Sequence, residues 1–250
     1  MKKTLISLAT VCAMATTLSA DFTRIEMGVG AWKQKSSSIL SYSKNGGNGF
    51  YDSNEKSDTT PYVWMLVKHP IPILPNLRLE YTKVQDKGKA SGSFKDFNIG
   101  NQKTDLNYEL KQYDIIPYYN ILDNTAGFTL DLGLDIKIID FSYDAKATQN
   151  FDGYKDSKTV AIPLAYARAR FDIPTTNIGL ETDIKYITTG DSTVYDARAK
   201  VDYTLDFFPV IKPALEIGYR TQKYKIDESN VDFKTDIKFS GFYSGVVAKF

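Results

Sequence analysis

Beyond its first twenty residues this chain contains no cysteine; the one it has, Cys12, lies in an apolar stretch near the N-terminus. A thiol-free mature chain excludes a disulfide scaffold. With His69 as the one histidine, zinc ligation by the usual nitrogen and sulfur donors is excluded as well. Long hydrophobic runs are also missing. After residue 20 no stretch approaches the ~18 apolar residues of a membrane helix, so any crossing of a bilayer must be made by strands. Neither sign of charge dominates. Lys and Arg number 31 against 30 Asp and Glu, and loss of Lys2 and Lys3 with a leader leaves a net of about -1. That balance offers nothing to nucleic acid, whose binding rests on cationic contacts to phosphate.

The first twenty residues read as a secretory signal. Lys2 and Lys3 form a charged start, Leu5 to Ala15 an apolar stretch, and Leu18-Ser19-Ala20 a small-residue cleavage site before Asp21. The apolar stretch is too short to cross about 30 Å of hydrocarbon as a helix. Cys12 has no lipoprotein-type approach. The expected organisation is therefore a signal peptide over 1–20 and a single β-barrel domain over 21–250. An exported chain without disulfides must rely on its strand ladders.

From residue 21 the hydrophobic signal has a period of two, the mark of strands with one apolar face. In Phe128 to Ile138, Phe128, Leu130, Leu132, Leu134, Ile136 and Ile138 share one face, and Thr129, Asp131, Gly133, Asp135 and Lys137 the other. Similar alternation marks Ile178–Tyr186, Tyr195–Leu205, Leu77–Thr82 and Leu215–Arg220. Weaker patterns mark Ile25–Ala31, Tyr62–Lys68, Leu106–Lys111 (with a bulge expected near Gln112), Thr159–Phe171 and Phe239–Phe250. Pro163 requires a ladder position that needs no donor. A mean hydropathy of -0.30 fits such a pattern, because only every second residue would face lipid.

Ten strands is an even count, as bacterial barrels require, and eight or twelve also satisfy the pattern. The intervening segments alternate in length. Long, polar ones are expected near 36–58, 86–105 and 142–158, and short ones carry Pro70, Pro72, Pro75, Pro174 and Pro209. Short periplasmic turns and longer outer loops would place both termini in the periplasm. The fold expected is a closed antiparallel up-and-down transmembrane β-barrel.

Alternation alone does not distinguish a lipid-facing barrel from a soluble carrier barrel of lipocalin type. Glycine favours the former. Gly28, Gly30, Gly133, Gly179, Gly218 and Gly245 lie among the charges, where a narrow lumen would use the space they leave. The inferred inward set is balanced. Glu26, Glu80, Glu109, Asp131, Asp135, Glu181, Asp183, Asp196, Asp202 and Glu216 stand against Arg78, Lys111, Lys137, Arg168, Arg170, Lys185, Arg198, Lys200, Arg220 and Lys249. Confined charges have a large desolvation cost unless paired. Aromatics gather toward strand ends: Phe128, Phe171, Tyr203, Phe207 and Phe208 near the short turns, and Trp32, Tyr62, Tyr108, Tyr186, Tyr195 and Tyr224 toward the long segments, as two interfacial girdles would.

The chain ends in Phe250, with Ala248, Val246 and Phe242 at alternate positions before it and Ser244 breaking the apolar series. This resembles the C-terminal signature of bacterial outer-membrane proteins. Residues 21–250 resemble the uncharacterised outer-membrane β-barrel proteins of Gram-negative bacteria. The resemblance implies an outer-membrane location, contact with outer-membrane lipid and lipopolysaccharide, and recognition of the last strand by the barrel-assembly machinery. It implies no substrate or cofactor, and oligomeric state stays open. Lys83, Lys87, Lys89, Lys95 and Lys103 are candidates to meet lipopolysaccharide phosphates. Asp52, Asn54, Glu55 and Asp58 are spaced irregularly for Ca²⁺.

Enzyme chemistry finds little support. Omptin-type proteases need Asp pairs and a His–Asp couple at the outer mouth, and phospholipase-type barrels need a histidine beside a serine. His69 falls in His69-Pro70-Ile71-Pro72, a short turn expected on the periplasmic side. The functional expectation is a non-enzymatic barrel, either a narrow or plugged channel or a structural or surface protein. A binding module built on the long outer segments and a soluble periplasmic carrier are the alternatives.

Overall fold

A computed structural model describes residues 23–44, 47–53, 56–71, 73–94, 97–208, 210–227 and 233–250; the expected leader lies outside the described residues. Eleven β-segments follow one another: β1 (Arg24–Lys44), β2 (Gly47–Ser53), β3 (Ser57–Lys68), β4 (Asn76–Ser93), β5 (Asn98–Thr125), β6 (Phe128–Ala145), β7 (Tyr154–Asp172), β8 (Ile178–Thr189), β9 (Ser192–Thr204), β10 (Lys212–Asp227) and β11 (Phe233–Lys249). All pairings are antiparallel; from β4 to β11 each strand pairs with its sequence neighbours, and β11 pairs with β1 to close the sheet.

The closed wall has ten strands because β2 and β3 share one position. β2 pairs with the upper part of β1 and with β4, and β3 pairs with the lower part of β1 and with β4. The register steps by one residue between Ile39↔Asp52 and Lys35↔Ser57. That step exchanges the faces: Tyr51 points inward at an odd position, and Thr60, Tyr62, Trp64 and Leu66 at even ones. The start of β1 and the end of β11 meet at the short-turn end, where Phe250 N donates to Ile25 O at 2.9 Å.

Around the middle of the wall, apolar side chains face outward. Val29, Val63, Ile115, Leu132, Leu134, Ile136, Leu180, Ile184, Val201, Leu215, Ile217 and Val246 are all exposed. A continuous apolar band on a closed sheet with charged residues inside is a lipid-facing surface. The chain spans a membrane.

Above this band the faces exchange polarity without any change of register. Along β5 the inward residues run Tyr118, Ile116, Asp114, Gln112 and then Leu110, Tyr108 and Leu106, all buried. The outward ones run Ile115 and Tyr113, then Lys111, Glu109 and Asn107. β4 does the same, with inward Arg78, Glu80 and Thr82 followed by Val84 and Ala90, and outward Leu79 and Tyr81 followed by Lys83 and Lys87. The reason is solvent. Beside hydrocarbon the outer face must be apolar, whereas above it water wets the outside and the lumen becomes an ordinary buried core.

This exchange corrects several expectations. The segments 36–58, 86–105 and 142–158 are mostly strand: β1 reaches Lys44, β4 reaches Ser93, β6 reaches Ala145 and β7 begins at Tyr154. No bulge lies near Gln112, since β4 and β5 keep one register from Asn76↔Tyr118 to Ala90↔Thr104. Glu109 and Lys111 consequently face outward, not into the lumen. Trp32, Tyr62, Tyr108 and Tyr224 are buried inside the barrel rather than in an upper girdle. The glycines make room chiefly for rings: a Cβ at Gly28 would collide with Trp64, at Gly30 or Gly245 with Tyr62, and at Gly218 with Tyr243.

Pro163 finds its donor-free position. β7 pairs with β6 through Ile136↔Pro163, and its pairing with β8 begins lower, at Ala165↔Tyr186. Between Tyr154 and Leu164 the β8-side edge of β7 has no strand partner among the described residues. A missing N–H there costs no ladder bond.

Candidate functional site

The fifteen charged residues read as lumen candidates all lie buried inside the barrel: Glu26, Arg78, Glu80, Asp131, Asp135, Lys137, Arg168, Arg170, Glu181, Asp183, Arg198, Lys200, Asp202, Glu216 and Arg220. Alternation puts them there, since each occupies an inward position of its strand. The structure joins thirteen of them into a network of direct ion pairs; among the described residues Glu26 pairs with Arg24 alone, and Asp135 makes no direct ion pair.

Near the chain ends, Arg24 binds Glu26 at 2.5 Å, and Lys249 pairs with Asp202. Arg170 spans Asp202 at 2.6 Å, Asp172 at 2.7 Å and Glu181 at 3.4 Å. One level up, Arg168 bridges Asp131 at 2.6 Å and Glu181 at 2.7 Å. Arg78 reaches Glu80 at 2.6 Å, and Lys200 reaches Glu216 at 2.9 Å. Higher again, Arg198 holds Glu80 at 2.6 Å and Asp183 at 2.9 Å. Lys185 joins Glu80 at 2.6 Å to Asp114 at 3.0 Å. Lys137 joins Asp114 at 2.5 Å to Asp196 at 3.3 Å, and Arg220 closes on Asp196 at 2.6 Å.

Aromatic rings fill the gaps between charges. Trp64 lies under Arg78 and Lys200, 5.0 and 4.5 Å from its centroid, and donates its indole N–H to Glu216 at 3.2 Å. Tyr62 donates to the same carboxylate at 2.7 Å. The void among Trp32, Trp64, Arg78, Glu181, Arg198 and Arg220 leaves a water-sized sphere only about 10 Å³ in which to move. That is the room one water molecule needs.

Asp135 differs from its neighbours: neither carboxyl oxygen has a hydrogen-bond partner among the described residues. The network also contains members that sequence reasoning passed over. Asp114, Gln112 and Gln222 are buried at its top, where Gln222 donates to Gln112 at 2.9 Å and to Asp196 at 2.8 Å. An unbroken count by twos from Leu106 to Tyr118 would have placed Gln112 and Asp114 inside.

Above the network the lumen is sealed by a second, apolar layer of Tyr51, Val84, Leu106, Tyr108, Leu110, Ile237 and Phe239. From it a column of rings climbs toward the outer end: Tyr108 against Phe141 at 5.8 Å, Phe141 against Tyr143 at 5.7 Å, and Phe97 against Tyr154 at 5.1 Å. Burial, and then the carboxylate of Asp86, push the Tyr51 hydroxyl far above the ordinary phenol range. It donates to Asp86 at 2.8 Å and stays neutral.

No protein-family model and no curated protein matches this sequence. Among solved structures it resembles the outer membrane protease OmpT from Escherichia coli, with a TM-score of 0.52 at 11% identity over 94% of this chain and 99% of that one. This is the fold of the Gram-negative outer-membrane β-barrels. Two further resemblances are lower in score. The translocator domain of the autotransporter NalP from Neisseria meningitidis gives 0.41 at 11% identity, covering 100% of this chain and 96% of that one. The outer membrane protein OprG from Pseudomonas aeruginosa gives 0.37 at 14% identity, covering 92% and 96%.

The barrel's histidine lies at the short-turn end. His69 Nδ1 accepts from Ile71 N at 3.1 Å, which leaves Nε2–H to donate to Pro75 O at 3.0 Å. Both ring nitrogens thus brace the turn. Of the Ca²⁺ candidates, Asn54 and Glu55 lie outside the described residues, and Asp58 accepts from Thr59 N at 2.7 Å. Among the described residues no group of three or more His, Cys, Asp or Glu is placed to hold a metal ion. The C-terminal residues Phe242, Val246 and Ala248 face outward on β11, and Phe250 closes the seam with Ile25.

Proposed function

We propose that this chain is a non-enzymatic integral barrel of the outer membrane whose lumen is plugged by its own side chains, serving as a structural or surface protein and not as an open pore. The supporting observation is the ion-pair and aromatic packing across the whole bore, with space for about one water at its centre. Barrels of about eight strands are filled by side chains, whereas those of sixteen or more leave an aqueous channel. Planar-bilayer recording of the purified protein tests this. The expected trace has no steady conductance; a large, persistent, ion-selective one would overturn the reading.

OmpT is a protease, and that activity is not carried over. The one imidazole of this chain is engaged in a turn at the opposite end from the outer mouth. Hydrolysis of a peptide library by the folded protein would overturn this part. The outward apolar series Phe242, Val246 and Ala248, ending in Phe250, serves as the signal for the barrel-assembly machinery. Deleting Phe250 is expected to lower membrane insertion severalfold while export continues; undiminished insertion would remove the assignment.

A further inference from the structure

The apolar band is not equally tall all round the barrel. On β6 the outward apolar series runs from Phe128 to Ile138, and on β7 from Ala161 to Phe171. On β10 it runs only from Pro213 to Tyr219, on β11 from Phe242 to Ala248, on β1 from Ile25 to Ala31, and on β4 from Leu77 to Tyr81. Thr221, Ser240, Lys33 and Lys83 are the next outward residues on those four strands. A strand residue advances about 3.3 Å, or roughly 2.5 Å along the membrane normal at the usual barrel tilt. The wall is therefore about 25 Å tall at β6 and β7, a full outer-membrane band, but only about 15 Å at the seam of β11 with β1 and about 10 Å at β4. A span shorter than the hydrocarbon is accommodated by thinning the bilayer or by the residues that flank it.

Two turns flank the foot of this short sector, one between β3 and β4 and the other between β9 and β10. The first exposes Ile71, Ile73 and Leu74, and the second Phe207, Phe208 and Val210; Ile73 is 84% and Phe207 77% exposed. At the foot of the tall sector the chain reverses instead through Asp123-Asn124-Thr125 and Thr175-Thr176-Asn177. Apolar tips thus occur where the wall is short. The β3–β4 turn also leans outward. Tyr119, an exposed residue on the outer face of β5, donates its hydroxyl to Ile73 O at 3.0 Å and draws the turn against the lipid side of the wall, away from the bore. Charges beside the tips, Lys212 paired with Asp206 at 3.2 Å and Lys68 paired with Asp123, hold the turns at headgroup level and out of the hydrocarbon core.

We propose that these two turns are a lipid-docking surface: they sink into the phospholipid leaflet on the short-turn side and complete the hydrophobic belt below the seam. The occupant is the boundary between headgroups and acyl chains, because the turns continue the lipid-facing band and expose bulky apolar side chains that water disfavours. The inference rests on the membrane span and is independent of whether the lumen conducts.

Tryptophan reporters in the full barrel, Ile73→Trp and Phe207→Trp, test it in phosphatidylcholine vesicles brominated either high or low on the acyl chain. The native Trp32 and Trp64 are buried in the bore and supply a constant background, removed by subtracting wild type. Both reporters are expected to lose roughly half their emission to bromine near the headgroup, as interfacial side chains do, and less to bromine near the chain end. Acrylamide in the water should reach them poorly. Acrylamide quenching as strong as for free tryptophan would overturn the proposal. So would protection from acrylamide without any bromolipid quenching, since a second copy or another protein would then cover the turns. Bromolipid quenching of Asn177→Trp, in a polar turn, equal to that of Ile73→Trp would overturn it too. Heat-modifiable gel mobility shows that each variant is folded. Absence of bromolipid quenching at Leu134→Trp would instead strike at the membrane span itself.

Discussion

Two inward residues on one strand, Asp135 and Lys137, make opposite predictions. Lys137 is fully buried and joins Asp114 to Asp196. Lys137→Met leaves two carboxylates short of a partner, and breaking such a buried pair costs about 3–5 kcal/mol. Asp135 is equally buried but accepts no hydrogen bond from the described residues. Asp135→Asn should therefore leave stability unchanged or raise it. Denaturant-induced unfolding in detergent, read by tryptophan fluorescence, ranks the two; equal losses would mean that Asp135 is paired after all. On the opposite face, Leu134 is 62% exposed near mid-height of the band. Leu134→Arg should cost about 2–4 kcal/mol when folding is measured into lipid vesicles. No cost there would place that face in water.

At the scale of the strand, β7 is divided. Its lower part, Ala165–Asp172, is laddered on both sides, whereas Tyr154–Leu164 is laddered only to β6. Amide hydrogens on the free edge should exchange orders of magnitude faster than those below, as locally unpaired backbone does. Uniform protection along β7 would show that another segment covers the edge. The connection 146–153 beside it is tied by Asp144, which accepts from Lys146 at 2.6 Å and pairs with Lys155 at 3.2 Å. Those lysines hold the Asp144 carboxyl below the usual carboxylate range. A carboxyl lowered in the folded state stabilises above its unfolded pKa, about 3.9, and loses that contribution as pH falls through the folded value. Exchange in 146–153 should rise only in that acidic window, by a small factor because the site is exposed.

Whole-molecule behaviour follows from having two storeys: a charged, ring-packed bore inside the bilayer and an apolar core above it. Single cysteines along 128–138 provide a test of the lower one. Even positions should be reached only by lipid-soluble probes, and odd ones by neither class, because the bore is filled. Labelling of Asp131→Cys by a water-soluble maleimide would reveal an open lumen.

Much of the lower storey was legible from period two alone. Phe128 to Ile138 alternates so regularly that its faces follow from counting, and a lipid-facing wall demands that pattern. The upper storey was not legible, for a physical reason. Where water replaces hydrocarbon outside, apolar residues turn inward, so Leu106, Tyr108 and Leu110 look like a lipid face while forming a core. Their polar neighbours then look like loop. Composition and alternation by themselves determined a closed, even-stranded barrel with a charged interior, because strand geometry assigns each side chain a face. Tertiary structure alone decided which residues pair across the bore, and that Asp135 has no hydrogen-bond partner there among the described residues. Those depend on register between strands distant in sequence, which local spacing does not encode.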